Sequence, residues 1–417
     1  SLSQGYQRGY AHSYPTESPG TYPPQFPGAD KGADLIRLQK NQGVPFFKMK
    51  ATFPVTDSFV IPASDQEAWD RVLNQFPEAL QDIHLTARYH QLYERNGDGQ
   101  ARLFVFKSNE ETYCMPFLIR PIDGLNGIEG SYDSESAYGY SGPVSTTAES
   151  GFLKAADETF REYCNSVKLV TEFVRFHPLL DNQRFVPEGS GMQVIRLRDY
   201  VTVDLSCGLN ERLDRYSAQN RNKIRKAEKA GVHVVEDPST AQFATFIDIY
   251  VENMRQLHAS RMYFFSDAYF HELRSLIKRD GVLLLALGPE GILGAAVFLA
   301  SGSYSHYFLS SVTANGRQLG VGNLLLHEGI NWAADRGARI MHLGGGLTAD
   351  PADPLLTFKL NFSKTTVPFF IGKRIHDETA YRKILEAWEK KHGIAAGAFG
   401  NILQRYRWTD EDLGNMR

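Results

Sequence analysis

Residues 282–312 constrain this chain more than any other stretch. Three apolar runs, 282–287, 292–300 and 305–312, are separated by Gly288-Pro289-Glu290-Gly291 and by Ser301-Gly302-Ser303-Tyr304. Runs this short between turn-forming residues read as the strands of an antiparallel meander. The first two together have the length of a membrane span, about 20 residues. A proline, a glutamate and two glycines interrupt them midway, so a hairpin is expected and no membrane span.

The segment Asn315-Gly316-Arg317-Gln318-Leu319-Gly320-Val321-Gly322 follows the meander. Residues 323–336 then carry Leu325, Leu326, Ile330, Ala333 and Ala334 at helical spacing, and Gly337 ends the helix. A strand over 339–343 closes on Gly344-Gly345-Gly346. Upstream, a strand is expected over 193–205, one long helix over 210–230, a short strand over 232–235 and helices over 240–257 and 268–278. Downstream, 355–362 reads as helix, 366–372 as strand, and two helices close the chain. The fold class is α/β, with a mixed, largely antiparallel sheet flanked by helices.

A fainter copy of this order lies upstream: a hairpin over 101–106 and 112–121, an extended segment 138–144, a helix 149–164 and a strand 169–176. At 417 residues the chain suits two domains. The expected division is an extended, linker-like segment 1–50, a first α/β domain 51–195, a second 196–378, and C-terminal helices 379–417. The opening segment, rich in Tyr, Pro, Gly and Ser, has too little aliphatic content to fold alone.

A net charge of −3 gives no global attraction to nucleic acid, so a polyanion needs a local patch. Cys114, Cys164 and Cys207 form no metal-binding or disulfide pattern, which fits a reducing compartment. With no basic-then-apolar leader in view, a cytoplasmic location is expected.

Glycines between a strand and a helix let the backbone approach a ligand, and the first amides of the helix favour an anion there. Arg317, Gln318, Leu319, Gly320, Val321, Gly322 and Asn323 are therefore the candidate pyrophosphate cradle. The spacing lacks the third glycine of a dinucleotide fingerprint and the Lys-Ser/Thr of a P-loop.

The meander, Arg317-x-x-Gly320-x-Gly322 and the helix after it resemble the acyl-CoA-binding core of the GNAT superfamily. Tyr138-Gly139-Tyr140-Ser141-Gly142-Pro143, Asn220-Arg221-Asn222-Lys223-Ile224-Arg225-Lys226-Ala227, Met254-Arg255, Arg261-Met262-Tyr263-Phe264-Phe265 and Phe358-Lys359 with Phe362 resemble its Fem-type, tandem-domain branch. The resemblance spans roughly 50–390. It implies two GNAT-like domains in tandem and transfer of an acyl or aminoacyl group to an amine acceptor between them. That acceptor would be an envelope sugar, a lipid- or nucleotide-linked precursor, or an amino-acid metabolite. The glycine segment favours acyl-CoA as donor. The bridge-forming relatives, which draw on aminoacyl-tRNA, have largely lost that segment. A non-catalytic RNA-binding role is the third reading.

Phe358 and Lys359 match the Fem-type pair that lines the meeting point of donor and acceptor, and also read as a solvated lysine beside a core ring. Arg255 and Arg261, with Tyr263, suit an anionic acceptor or structural ion pairs. Tyr138, Tyr140 and Ser141 line a cleft or pack the domains together. The basic helix carries Arg212, Arg215, Arg221, Lys223, Arg225, Lys226 and Lys229 over 212–229, a solvated face or a tRNA contact. His306 shares a strand face with Phe308 and Ser310, opposite Tyr307 and Leu309, and is a candidate base or a satisfied sheet histidine. No metal-ligand spacing stands out, so no metal is expected.

Overall fold

The computed structural model describes residues 56–125, 129–257, 259, 263–348 and 350–414. Its first half runs β1 (Thr56–Pro62), α1 (Gln66–Leu73), α2 (Ala87–Asn96), β2 (Gln100–Ser108), β3 (Glu111–Pro121), β4 (Tyr132–Glu135), β5 (Val144–Ser145), α3 (Ser150–Ser166) and β6 (Leu169–Arg175). The second half begins with β7 (Gln193–Asp204), α4 (Leu209–Arg215), α5 (Ala218–Lys229), β8 (His233–Glu236), α6 (Phe243–Gln256) and α7 (Asp267–Asp280). The meander is β9 (Gly281–Gly288), β10 (Gly291–Ser301) and β11 (Tyr304–Val312). Then come α8 (Ala314–Leu319), α9 (Val321–Asp335), β12 (Ile340–Gly344), α10 (Pro354–Leu360), β13 (Thr366–Ile375), α11 (Glu378–His392) and α12 (Asp410–Gly414).

Local chemistry sets the ends of these helices. Asp65, Thr86, Glu149 and Ser266 each accept a backbone N–H at the start of α1, α2, α3 and α7. Gly97 turns α2 out through a left-handed conformation. The helix expected over 210–230 breaks at Tyr216-Ser217, because Ser217 is extended and its hydroxyl caps α5 through the Asn220 amide. Two helices therefore replace one.

The halves repeat one plan. In each, a meander ends in a strand that pairs parallel with the strand after a crossover helix. These pairs are β4 with β6 around α3, and β11 with β12 around α9. Strand β13 lies between β6 and β7, antiparallel to both, and joins the halves into one sheet. The sheet order is β1-β2-β3-β4-β6-β13-β7-β12-β11-β10-β9-β8, with β5 paired to β3.

Cores fill both faces. One is shared: Trp69, Tyr89 and Leu103 of the first half pack with Phe246, Tyr269 and Val297 of the second. On the opposite face α9 and α5 cover the second half, around Phe298, Leu325 and Trp332, and α3 covers the first, around Phe104 and Phe160. Among the described residues no helix is long and apolar enough to cross a membrane.

Candidate active site

Strands β11 and β12 keep register over only three pairs, Tyr304 with Ile340, Ser305 with Met341 and His306 with His342. Beyond His306 and His342 they part, leaving a wedge between residues 307–312 and 343–346. A β-bulge at Phe308 lies on its β11 side, since Tyr307 pairs with Phe298 and Leu309 with Val297. An extra residue disrupts the ladder and frees backbone polar groups. It also breaks the alternation expected on this strand. Phe308 and Leu309 both pack toward the shared core, and Tyr307 packs toward α9. Ser311, whose hydroxyl donates to Ile249 O at 3.0 Å, takes the face expected of Ser310.

The other side of the wedge is three glycines. Gly344 has φ +78°, a side chain on Gly345 would strike the Tyr200 ring, and one on Gly346 would strike Asp353. Asp353 caps α10 through the Leu355 and Leu356 amides and accepts from the Leu347 and Thr348 amides at 3.0 and 2.9 Å. That cap fixes the helix carrying Lys359. The Lys359 side chain is buried, its Nζ donating to Gly345 O at 2.6 Å. Burial lowers its ammonium to about 7 against the opposing pull of Asp353, and Arg198 adds to the fall. The lysine is therefore not a solvated one. Phe358 packs against Phe362 with ring centroids 5.5 Å apart.

The first half closes the wedge tip. The Tyr140 ring lies 4.8 Å from His342, 5.1 Å from His84 and 5.6 Å from His177. Asp82, at the start of the turn Ile83–Leu85, approaches His84 Nδ1 and His306 Nε2 at 2.7 Å and His177 Nε2 at 3.1 Å. Burial alone would raise the Asp82 carboxyl, but His306 and His177 outweigh it and hold the group well below the usual range. Burial pushes His84 down to about 3, and drives His342 well below the usual imidazole value.

Residues 214–351 match a family model described as an acetyltransferase (GNAT) domain. The crystal structure of FemX aligns over 78% of this chain and 99% of its own, with a TM-score of 0.59 at 13% identity. Residues 214–351 are a GNAT domain. Two looser likenesses are a tandem GNAT protein from the clavulanic acid biosynthesis pathway and L-PGS from Bacillus licheniformis. The first aligns over 76% of this chain and 98% of its own (TM-score 0.44, 12% identity), the second over 72% and 94% (0.45, 13%). No curated protein sequence matches closely enough to count as a relative.

Within this GNAT frame the glycine segment differs from the open loop expected. Residues 314–319 form α8, capped by Thr313, and Gly320 turns the chain into α9 at φ +84°. A side chain on Gly320 would meet Lys223 O at 2.8 Å, so the turn is braced against α5. Lys226 donates to Gln318 O at 2.8 Å, and Arg317 donates to Asn253 from an exposed position. Asn323 is buried and donates to Asn220 Oδ1 at 2.8 Å, so its side chain pins α9 to α5. What stays open is the first turn of α9. A side chain on Gly322 would find only Val312, at 3.9 Å. Leu319 is half-buried and Val321 fully buried.

The remaining candidates divide. Tyr140 is at the site. Ser141 is buried and committed, donating to Pro116 O at 2.9 Å and accepting from Asn182 at its carbonyl. Tyr138 packs on the shared core, and Tyr89 donates to its carbonyl. Arg255 is exposed at the end of α6, and the Tyr263 carbonyl accepts from Tyr250. Arg261 lies outside the described residues. On the basic helices, Arg212 donates to Cys207 O, Arg221 to Leu213 O and Tyr216 O, and Arg215 pairs with Asp204 and Glu211. These three hold the α4–α5 corner. His306 is 2% exposed, and its Nε2 lies 2.7 Å from Asp82 Oδ2. Sequence reasoning missed Asp82, His84, His177 and His342, which are scattered and carry no spacing signal. The Gly344–346 run was the one local sign that something must approach β12 closely.

Proposed function

We propose that this protein transfers an acyl group to an amine, with the reacting carbonyl in the wedge between β11 and β12. The observation that carries this reading is the parting of the two strands after His306 and His342, with a bulge on one side and buried Lys359 on the other. The backbone groups freed at Phe308 are suited to stabilise the tetrahedral oxyanion. Lys359 is placed to take the proton of the acceptor ammonium, because an amine lowered to about 7 is a competent base near neutral pH. The amine attacks the carbonyl carbon and the C–N bond forms; the intermediate collapses with cleavage of the C–S bond, and the remaining extra proton on the attacking nitrogen passes to the departing thiolate. A covalent enzyme intermediate is not required. Cys114 and Cys164 are buried, and burial pushes both thiols up, away from nucleophilic character.

The donor favoured is acyl-CoA, with its pyrophosphate at the first amides of α9 beside Gly322. The start of a helix points its amides outward; Asn323's already donates to Gly320 O at 3.0 Å, and bare Gly322 keeps the approach to the turn open. The acceptor is an amine on a small, lipid-linked or nucleotide-linked molecule entering between the halves. A thermal-shift titration decides between donors. An increase in melting temperature with CoA that Gly322→Trp abolishes is the expected result. Binding of aminoacyl-tRNA alone, weakening steeply with salt, would transfer the reading to the tRNA-dependent reaction or to RNA binding.

A further inference from the structure

Asp82, His84, His177 and His306 each offer one donor atom, and the four donors lie within 4.8 Å of one another, all buried. Three segments supply them: the turn after α1, the residue pair following β6, and β11. We propose that this cluster binds a zinc-class divalent ion that ties the first half of the chain to the second.

Charge makes the first argument. Among the described residues the side-chain partners of the Asp82 carboxylate are imidazoles, and no lysine or arginine pairs with it. A buried carboxylate calls for compensating positive charge, and no described lysine or arginine supplies it there. A divalent ion reverses that balance.

Geometry makes the second. His177 Nε2 is 3.1 Å from Asp82 Oδ1, yet the ring is angled so that this nitrogen has no hydrogen-bond partner. A buried nitrogen close to three other donors but bonded to none is placed to bind an ion at their centre. Zinc ligands at about 2.0–2.1 Å in a tetrahedron stand about 3.3 Å apart. The Asp82 contacts at 2.7 Å must therefore widen and the longer separations close, by shifts of about an ångström or less. A zinc on His177 Nε2 puts the ring proton on Nδ1, so the 3.3 Å approach of the Leu179 amide to that atom must also lengthen.

Chemistry makes the third. Three imidazoles and one carboxylate suit zinc and its first-row neighbours, not magnesium or calcium. Four protein donors fill a tetrahedron and leave no position for substrate, so the ion is structural. The His84 amide donates to Asp82 Oδ1 at 2.9 Å and orients it, as outer contacts do at metal sites. A pocket of about 250 Å³ lined in part by Gln81, Asp82 and Thr86 offers an approach.

The test is metal analysis of the full chain purified without a histidine tag or chelating resin. The expected result is an equimolar amount of bound zinc. A strong chelator should remove it with a fall in melting temperature, and zinc should restore both. His177→Ala and His306→Gln should each lower the bound zinc. Should either variant fail to fold, cobalt added to the chelated native chain gives an independent reading, the intense visible bands of a tetrahedral site. A folded, cooperatively melting chain that holds no zinc and takes up neither zinc nor cobalt overturns the proposal. So does unchanged zinc in both variants. Metal content and unfolding are read without any substrate, so failure here and failure of the acyl-transfer reading are distinguishable.

Discussion

Lys359 shows how one buried side chain sets a pH response. Its ammonium is lowered from 10.5 to about 7 chiefly by burial. As pH rises through that value the neutral amine accumulates, so an acyl-transfer rate that needs Lys359 as base climbs over the same range. A cationic role would give the opposite slope. Lys359→Met should lower kcat by about 10²–10⁴-fold, the usual contribution of a general base, and abolish that limb of the profile. Stability responds too. Below pH 7 the lysine is charged folded and unfolded, and its burial costs stability in full. Between about 7 and 10.5 the folded chain releases the proton first, and stability rises with pH. Denaturant melts of Lys359→Met across that range should lack this rise.

At the scale of elements, the turn from α8 into α9 separates two glycines that look alike in sequence. Gly320 holds φ +84° with Lys223 O 2.8 Å from where a Cβ would stand, whereas Gly322 faces open space. Gly320→Val should cost at least the about 1–2 kcal/mol of a left-handed non-glycine residue, plus the displacement of α5, and lower the melting temperature. Gly322→Trp should leave the melting temperature near that of the parent. Much of this level was legible beforehand. The meander, α9, β12 and β13 follow from apolar runs bounded by glycine and proline, which are local signals. The α4–α5 break and the Phe308 bulge were not legible. The first depends on how Ser217 caps α5, and the second on pairing across two strands. A strict alternation placed Ser310 on the face that Ser311 occupies, because one inserted residue shifts everything after it.

Across the whole molecule, β13 and the shared core make the two halves one sheet with a common face. Their contacts extend to Arg88 with Asp280, and to Ser303 and Tyr304 donating to Glu78 and the Ala79 carbonyl. A single cooperative unfolding transition is expected by calorimetry. The C-terminus is part of the same unit. Buried Asp133 accepts from Tyr406 at 2.8 Å and from Arg407 at 2.7 Å as well as from Arg120. Deleting residues 405–414 should destabilise the chain by at least about 3 kcal/mol, since it removes two partners of buried Asp133 and takes Trp408 and Leu413 out of their core. Chemical denaturation measures it. The tandem plan was visible in sequence as a repeated order of elements. The cluster that closes the wedge was not, since Asp82, His177, His306 and His342 meet only once the halves share a sheet.

Backbone amide exchange with and without acyl-CoA reads the wedge directly. Slower exchange over residues 307–312 and 343–345, together with the first turn of α9, is the result this account requires. Tight CoA binding that protects some other surface and leaves both wedge strands exchanging as before would contradict it.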